Sequence, residues 1–393
     1  MFLKNIILPS IKLSSAKLFS VVMQFAFVVT ISRNMHIDLV GFYTLSMAII
    51  SPVILSCSFD ANTKVLSNKN DENNLFILFF IWILLFSLFS IPVFLLFDNQ
   101  FYLILLAALI IKICESFTDF ELANLRVMEK DNLYAYQLIA RSLCIYVLSS
   151  LIFITTSSIF LFLYSCILFC LLIIIYAFYS LKRYGFYFQF SFHNSLSYIK
   201  NNYLLSLSLY FKYFSSGILR YSVIIFYDLA TLGFLTPVFY FMNGMSVILS
   251  SIESVIVVQV LKSKNYLTQK LKLLNILKNF TFFYFIFGAL VYFLQDIYYR
   301  IFFEDQDNYS SLILLFYIGT LFFSLRGILR VISFNHNLAN YQLKIQISFC
   351  IILASLIVFF NLIFGIFAFP LAYIFSNIII ITIYLFLLRH HGR

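Results

Sequence analysis

Long apolar runs separated by short polar connections make up the pattern of this chain from end to end. A helix that crosses a bilayer needs about 20 mainly apolar residues, and the runs divide into twelve segments of this kind. The pattern therefore predicts an all-α polytopic membrane protein. We place the membrane spans at residues 12–32, 39–59, 75–97, 101–118, 137–156, 158–180, 203–227, 233–259, 279–295, 311–332, 343–365 and 367–388.

The composition excludes a soluble domain, because 63% of the 393 residues are hydrophobic and only 11% are charged. Ordinary globular chains are about 45–50% apolar and about 25% charged. The formal net charge of +10 is also compatible with nucleic-acid binding. Most of the basic residues, however, border the apolar runs, where topology signals lie. We therefore expect no nucleic-acid partner.

The basic residues also predict the orientation. When connections are assigned alternately to the two sides and a charge near a span end is counted with its nearer side, 21 Lys and Arg fall on the N-terminal side, Arg141 and Arg326 among them. Arg33 and Arg300 fall on the other side, and Lys112, Lys212 and Arg220 are left within the membrane. Cytoplasmic connections are enriched in Lys and Arg, so both termini should be cytoplasmic. The longest connections, 181–202 and 260–278, then lie in the cytoplasm.

Two basic groups near the cytoplasmic side fit contact with lipid headgroups. The Lys- and Leu-rich segment 260–278 suits an amphipathic helix lying on an anionic leaflet, with partner binding as the alternative. Arg326 and Arg330 are one turn apart towards the inner end of the tenth span. We expect them to serve topology and headgroup contact.

The two halves of the sequence resemble each other at corresponding places, which indicates two six-helix bundles, 1–200 and 201–393. Six is an even number, so both bundles start on the same side and the repeat is parallel. Transporters built in this way hold substrate between the halves. The matching residues are Lys17, Phe19 and Ser20 with Lys212, Phe214 and Ser215, and Gly41, Phe42 and Thr44 with Gly233, Phe234 and Thr236.

Charged and polar side chains inside the predicted spans are the candidate functional residues, because such groups usually face a bundle interior or a watery cavity. In span 7, Lys212, Ser216 and Arg220 share one helix face. The predicted substrate-binding residues are Lys212, Arg220, Lys17, Gln24, Asn243 and Lys112, and Glu253 is the candidate for proton or ion coupling.

The alternative for these residues is a packing role. Lys212 with Glu253, and Lys112 with Glu115, would then be neutralised pairs that fix helix contacts, and Lys17 would reach the interface. If they line a cavity instead, that cavity is cationic and suits an anion such as phosphate or pyrophosphate.

No motif for covalent chemistry is present, so we predict no enzyme activity, no cofactor and no metal site. The six cysteines lie almost entirely within apolar runs and read as packing residues.

Two stretches resemble a known family. The segment from Ser14 to Leu66 contains "ISRNM" at Ile31 to Met35 and "GFYTLSMAIISPVIL" from Gly41 to Leu55. Together with "GFLTPVFYFMNGMSVILSSIESVIVVQV" from Gly233 to Val260, it resembles the O-antigen flippases of the Wzx type. These belong to the multidrug/oligosaccharidyl-lipid/polysaccharide (MOP) exporter superfamily. Unlike many members, this chain has Asn34 and Met35 after Arg33 in place of Leu-Gly.

The resemblance implies a pair of six-helix bundles in the bacterial inner membrane that moves undecaprenyl-pyrophosphate-linked oligosaccharide to the periplasmic leaflet by alternating access. It implies membrane lipids, an O-antigen polymerase and a chain-length regulator as partners. Lys212, Arg220 and Lys17 would meet the pyrophosphate or acidic sugars.

Two other functions stay open at this point. The O-antigen polymerase of the same pathway is a polytopic protein of similar size, although its family typically has a large periplasmic loop and the outer connections here are short and acidic. A drug/cation antiporter of the same superfamily would favour carboxylates in the membrane, whereas the predicted spans hold more bases than acids.

Overall fold

The computed structural model describes residues 8–57, 99–128, 130–183, 192–261, 266–302, 310–335 and 339–391, and every element within them is helical. The fifth predicted span consists of two α-helices, Asp131–Ser142 and Ser149–Thr156, joined by a π-helical segment, Leu143–Leu148. The helices are α1 (Leu8–Asn34), α2 (Ile37–Cys57), α3 (Asn99–Val127), α4 (Asp131–Ser142), α5 (Ser149–Thr156), α6 (Ile159–Arg183), α7 (Phe192–Phe226), α8 (Leu229–Leu261), α9 (Tyr266–Phe302), α10 (Ser310–Asn335), α11 (Ala339–Phe364) and α12 (Ala368–His391).

Eleven of the twelve predicted spans coincide with these helices, and the third, 75–97, lies outside the described residues. Two predicted connections are shorter than expected. α7 already begins at Phe192, inside the predicted connection 181–202. α9 runs without a break from Tyr266 to Phe302, so the basic segment continues into the ninth span as one helix and is not a separate surface helix.

Length and composition identify eight membrane-spanning candidates among the described residues. The last of them, Tyr341–Arg389, contains both α11 and α12. A 3-10 turn, Gly365–Phe367, separates the two helices, and Gly365 has a φ of 55°. Glycine adopts this left-handed conformation without steric cost. The turn therefore lets two consecutive apolar helices reverse direction with almost no loop.

The exposed side chains of several helices are large and apolar. On α6, Leu168, Leu172 and Ile175 are each more than half exposed, and on α11 Leu362 is 83% exposed. The buried positions include many Ser, Thr, Gln and Arg side chains. This arrangement is typical of a protein whose outer solvent is lipid, where polar groups must be satisfied internally.

Internal contacts divide the chain into two compact units, Met1–Gly233 and Phe234–Arg393. In the first unit, α2 packs along α3 and α7, α3 packs along α6, and α1 packs against α4. In the second unit, α12 packs along α10 and α11, and α9 packs against α10. The division into halves at residue 200 remains a prediction.

Two glycines matched by the sequence repeat occupy equivalent positions where α2 crosses the start of α8. A Cβ on Gly41 would lie 2.1 Å from the carbonyl oxygen of Leu229, and a Cβ on Gly233 would lie 2.4 Å from that of Ile37. Each carbonyl belongs to the residue four positions before the opposite glycine. The contact is therefore reciprocal, and it explains why both helices carry Gly at this position: small residues let membrane helices approach closely.

Tyrosine side chains connect the helices of the second unit. The rings of Tyr284 on α9 and Tyr317 on α10 stack at 4.2 Å, and each hydroxyl donates to the other residue's carbonyl oxygen, at 2.6 and 2.5 Å. Tyr298 and Tyr299 of α9 donate to carbonyl oxygens of α8, at 3.0 and 3.1 Å. These bonds fix the position of α9 against α8 and α10.

Candidate functional site

The centre of the first unit holds a carboxylate that is bound by side chains from three segments. Lys112 Nζ lies 2.7 Å from Glu115 Oε2, one turn along α3. The hydroxyl of Tyr146 donates to Glu115 Oε1 at 2.5 Å, and Gln24 Nε2 of α1 donates to the same oxygen at 3.2 Å. Gln24 also donates to the Tyr146 hydroxyl oxygen at 3.0 Å. Glu115 is therefore the centre of a closed polar network.

The π-helical segment positions Tyr146 for this contact. A π turn adds one residue to a helical turn and is found frequently at functional sites. Tyr146 lies within the segment and is buried, and its ring packs edge-on against Phe27 of α1 at 5.4 Å. The segment thus directs a hydroxyl from the fifth span towards α1 and α3.

A second cation extends the network towards the C-terminal end of α3. Arg141 of α4 is 8% exposed, and its Nη1 donates to Asp119 Oδ1 at 2.8 Å, to the Glu115 carbonyl oxygen at 3.3 Å and to the hydroxyl of Thr118. Ionised partners make these bonds stronger than neutral ones. The acids Glu115 and Asp119 are thus both bound by cations of the same unit.

Glu121 is a third acid of α3, and it is 2% exposed. Its side chain lies against Gln137 of α4 and Ser180 of α6, and Gln137 Nε2 donates to Ser180 Oγ at 3.4 Å. Oxygen Oε1 of Glu121 has no hydrogen-bond partner among the described residues. Three polar side chains from three helices therefore meet at this end of the unit.

The predicted cationic face of α7 is partly buried. Arg220 is 7% exposed and its Nη1 donates to the Ser216 carbonyl oxygen at 3.1 Å, while Lys212 Nζ lies 5.0 Å from the centre of the Tyr213 ring. The helix is held against α2 by Tyr221, whose hydroxyl donates to the Ala48 carbonyl oxygen at 2.7 Å. α7 carries its cations on a helix with a fixed position in the first unit.

The expectation that Arg326 contacts headgroups is wrong. Arg326 on α10 is only 5% exposed, and its guanidinium carbon lies 3.9 Å from the centre of the Phe349 ring and 5.0 Å from that of Phe323. The side chain turns into the second unit because aromatic faces on α10 and α11 bind a cation. Arg330, one turn on, is only half-buried.

The structure brings together two of the predicted substrate-binding residues, Gln24 and Lys112, which both contact Glu115. Lys17 is half-buried on α1, and Asn243 is half-buried on α8, where its carbonyl oxygen accepts from Ser246 at 2.7 Å. The side chain of Glu253 lies outside the described residues. Its coupling role and its pairing with Lys212 remain predictions.

The sequence pattern missed Arg141, Tyr146 and Arg326 as functional candidates. Arg141 and Arg326 lie within predicted spans 5 and 10, which was the available signal, but both are near the cytoplasmic ends of these spans and were therefore interpreted as topology signals. Tyr146 offered no signal, since tyrosines are common throughout the chain and the π turn has no marker in its sequence.

No family model matches the chain, and no curated protein matches it significantly. Several solved structures do. A MATE in complex with MaL6 superposes with a TM-score of 0.69 at 12% identity, over 98% of this chain and 96% of that one. A MATE in the straight conformation gives 0.67 at 11% identity, over 98% and 95%. An inward-facing multidrug resistance MATE family transporter of the MOP superfamily gives 0.63 at 12% identity, over 97% and 94%.

At these identities the similarity establishes the fold. The predicted architecture, an all-α polytopic membrane protein of the MATE type with two six-helix bundles in a parallel repeat, is confirmed. The superfamily implied by the sequence resemblance agrees with this fold.

Proposed function

We propose that the chain is a transporter, and that its substrate is an undecaprenyl-pyrophosphate-linked oligosaccharide carried to the periplasmic leaflet of the bacterial inner membrane. The observation that carries this proposal is the distribution of charge among the helices. α7 contains Lys200, Lys212 and Arg220 and no Asp or Glu. The acids Glu115 and Asp119 of α3 are already bound by cations of their own network.

The chemistry of these cations fits a phosphate-bearing substrate. A charged side chain near the bilayer centre costs about 2.5–3.5 kcal/mol on insertion scales, so such residues are usually retained for a function. A guanidinium such as that of Arg220 binds phosphate oxygens in pairs. Two parallel six-helix repeats are an arrangement that supports alternating access. The Wzx-type resemblance of the sequence supports a lipid-linked sugar as the rest of the substrate.

A drug/cation antiporter is the second candidate. Three acids, Glu115, Asp119 and Glu121, lie in α3, and one structural neighbour is a multidrug resistance transporter by its description. We rank this function second because ion pairs bind two of these acids. To bind Glu115 or Asp119, a cationic substrate would have to displace Lys112 or Arg141.

The predicted partners belong to the same proposal. Membrane lipids, an O-antigen polymerase and a chain-length regulator would receive or act on the translocated unit. Glu253 is the proposed coupling residue, and Glu253→Gln should then abolish transport at an unchanged protein level. Normal transport by that variant would exclude the role.

The experiment that tests the function begins with deletion of the gene in the organism that carries it. Loss of surface O-antigen with retained lipid-linked single units supports the flippase, because no unit reaches the periplasmic machinery. A surface core with one repeat unit would instead indicate the polymerase. Unchanged O-antigen with altered sensitivity to cationic drugs would indicate the antiporter.

Site variants then test the charge argument in the complemented deletion strain. Arg220→Gln and Lys212→Gln should each reduce O-antigen export, since each removes a cation from α7. Lys200→Gln is the matched control, because Lys200 lies on the same helix and is exposed. Full export by both inner variants at normal protein levels would refute the cationic pathway.

A further inference from the structure

Arg326 is a buried cation in a part of the chain that contains no acid. Residues 310–393 include neither Asp nor Glu, so α10, α11 and α12 cannot neutralise it from within. Among the acidic side chains that the structure describes in the second unit, that of Asp296 binds Ser310 at the opposite end of α10. That end is about 24 Å from Arg326 at 1.5 Å per residue. No carboxylate on these elements is close enough to form an ion pair with Arg326.

A second cation adds to the same positive charge. Arg330 lies one turn along α10 and acts electrostatically on Arg326, and the neutral groups within range include Tyr373 and Tyr384 of α12 and Cys350 of α11. Like charges at this spacing on a helix repel each other. The ring faces of Phe323 and Phe349 offset part of the cost of burial. They cannot accept the Nη1 hydrogen bonds, and Nη1 has no partner among the described residues.

Further polar atoms that have no partner among the described residues lie on helices that meet Arg326. On α11, Gln342, Gln346 and Phe349 share one face at one-turn intervals, and Phe349 contacts the guanidinium. Gln342 is fixed by Tyr384, whose hydroxyl donates to its Oε1 at 2.9 Å, and its Nε2 has no partner in the described part of the chain. Gln346 is 3% exposed, and the described residues offer its Oε1 no partner either.

The third helix contributes an amide of the same kind. Asn377 on α12 is fully buried, and its Nδ2 donates to the Tyr373 carbonyl oxygen at 2.7 Å, while Oδ1 has no partner within the described ranges. The Tyr373 ring lies 6.3 Å from that of Phe323, which also flanks the guanidinium. Buried polar atoms in proteins are almost always satisfied. Arg326 lies on α10 and its aromatic contacts connect it to α11 and α12, so several unsatisfied polar atoms on these three helices, among the described residues, indicate a missing bonded group.

We infer that Arg326, Gln342, Gln346 and Asn377 form an anion site inside the second unit that binds a hydrogenphosphate group. The guanidinium and the Gln342 amide supply donors to phosphate oxygens, and the single hydroxyl of hydrogenphosphate donates to one of the two remaining amide oxygens. Chloride and sulfate have no hydroxyl at neutral pH and can donate to neither of these oxygens. The phosphate can be free in solution or belong to a lipid. This site uses none of the residues of α7 on which the proposed transport depends.

The test measures thermal unfolding of the purified full chain in nanodiscs of phosphatidylcholine. Sodium phosphate, sulfate and chloride are titrated at equal ionic strength, because a ligand that binds only the folded state raises its melting temperature. For the wild type we expect a rise with phosphate that sulfate and chloride do not reproduce. Arg326→Gln should abolish this rise, whereas its melting temperature without phosphate should stay the same or increase.

Two further variants keep the outcome interpretable. Arg330→Gln is the matched control, since it removes a cation one turn away and should retain the phosphate response. Arg326→Lys keeps the charge with fewer donors, so it should need about tenfold more phosphate for half of the shift. If Arg326→Gln does not yield folded protein, Gln346→Leu is tested instead, and it should abolish the rise in melting temperature with phosphate.

A parallel series in nanodiscs that also contain phosphatidic acid identifies the source of the phosphate. Stabilisation by that lipid that disappears in Arg326→Gln assigns the site to a lipid headgroup, and stabilisation by sodium phosphate alone assigns it to a soluble phosphate. Either result supports the site. A wild type that responds to neither, or an Arg326→Gln variant that responds as the wild type does, overturns it. O-antigen export, the readout for the proposed transport, is measured separately.

Discussion

Replacement of Tyr146 by Phe tests whether the Glu115 network stabilises the first unit. The substitution removes one oxygen atom and keeps the ring that packs on Phe27 at 5.4 Å. Two hydrogen bonds are lost, the donation to Glu115 at 2.5 Å and the acceptance from Gln24 at 3.0 Å. The change therefore isolates the polar contribution of a residue placed by the π turn.

The expected cost follows from the remaining partners of the carboxylate. Hydrogen bonds between neutral side chains in membranes average about 0.6 kcal/mol, whereas bonds to charged groups contribute about 1.5–3 kcal/mol. Glu115 keeps Lys112 at 2.7 Å and Gln24 at 3.2 Å, so it is not left unsatisfied. We expect Tyr146→Phe to reduce the free energy of unfolding by about 1–2 kcal/mol, between these two limits.

The assay is reversible denaturation in mixed micelles, arranged as a double-mutant cycle with Glu115→Gln. Direct contact between the two side chains predicts a coupling energy of about 0.5–2 kcal/mol. Tyr136→Phe is the control, because Tyr136 is 72% exposed on the adjoining α4 and should change stability by less than about 0.5 kcal/mol. Strictly additive effects in the cycle, or equal losses from the two tyrosine variants, would refute the network as a stabilising element.

Three further changes probe other contacts. Gly41→Ala places a Cβ 2.1 Å from the Leu229 carbonyl oxygen and should reduce the free energy of unfolding by about 1–3 kcal/mol or more, which lowers the melting temperature. An unchanged melting temperature would contradict the close crossing of α2 and α8. Arg141→Gln removes the ion-pair partner of Asp119, which is itself 43% exposed, and should reduce the free energy of unfolding by about 1.5–3 kcal/mol in the same denaturation assay, with Arg141→Lys milder. Asp228 is exposed and accepts from the Thr231 N–H at 2.7 Å, which lowers the pKa of Asp228. The stability that ionised Asp228 contributes is fully present above the pKa of this carboxyl in the unfolded state, and it is lost as the pH falls through the pKa in the folded state. Asp228→Asn should therefore make the melting temperature less dependent on pH at the acidic end. A pH dependence equal to that of the wild type would exclude this cap.

Hydropathy was sufficient to predict the spans, because the bilayer imposes one length and one composition on each of them. The reciprocal glycines show that sequence can also predict a contact. Gly41 and Gly233 were matched only as part of a repeat, and the structure places both where a Cβ would clash with the opposite backbone. The sequence repeat therefore predicts a repeated geometry at positions where only glycine leaves enough room for the neighbouring backbone.

The network around Glu115 could be predicted only in part. Lys112 and Glu115 are one turn apart on a single helix, so their pairing was an open alternative at the sequence level. Arg141 reaches Asp119 from another helix, and nothing in the spacing of the two residues fixes the rotation of α4 about its axis. The π turn that brings Tyr146 to the same carboxylate changes that rotation within one span.

Arg141 and Arg326, which the charge count assigned to the cytoplasmic side, show what such a count cannot predict. Counting places a residue along the membrane normal, but it does not say which face of the helix carries it. Arg141 and Arg326 both turn inward, and they differ in what meets them. α3 offers acids to Arg141, so its burial completes an ion pair. Among the described residues Arg326 contacts the rings of Phe323 and Phe349, in a segment without acids, so its burial leaves a positive charge that a bound anion would neutralise.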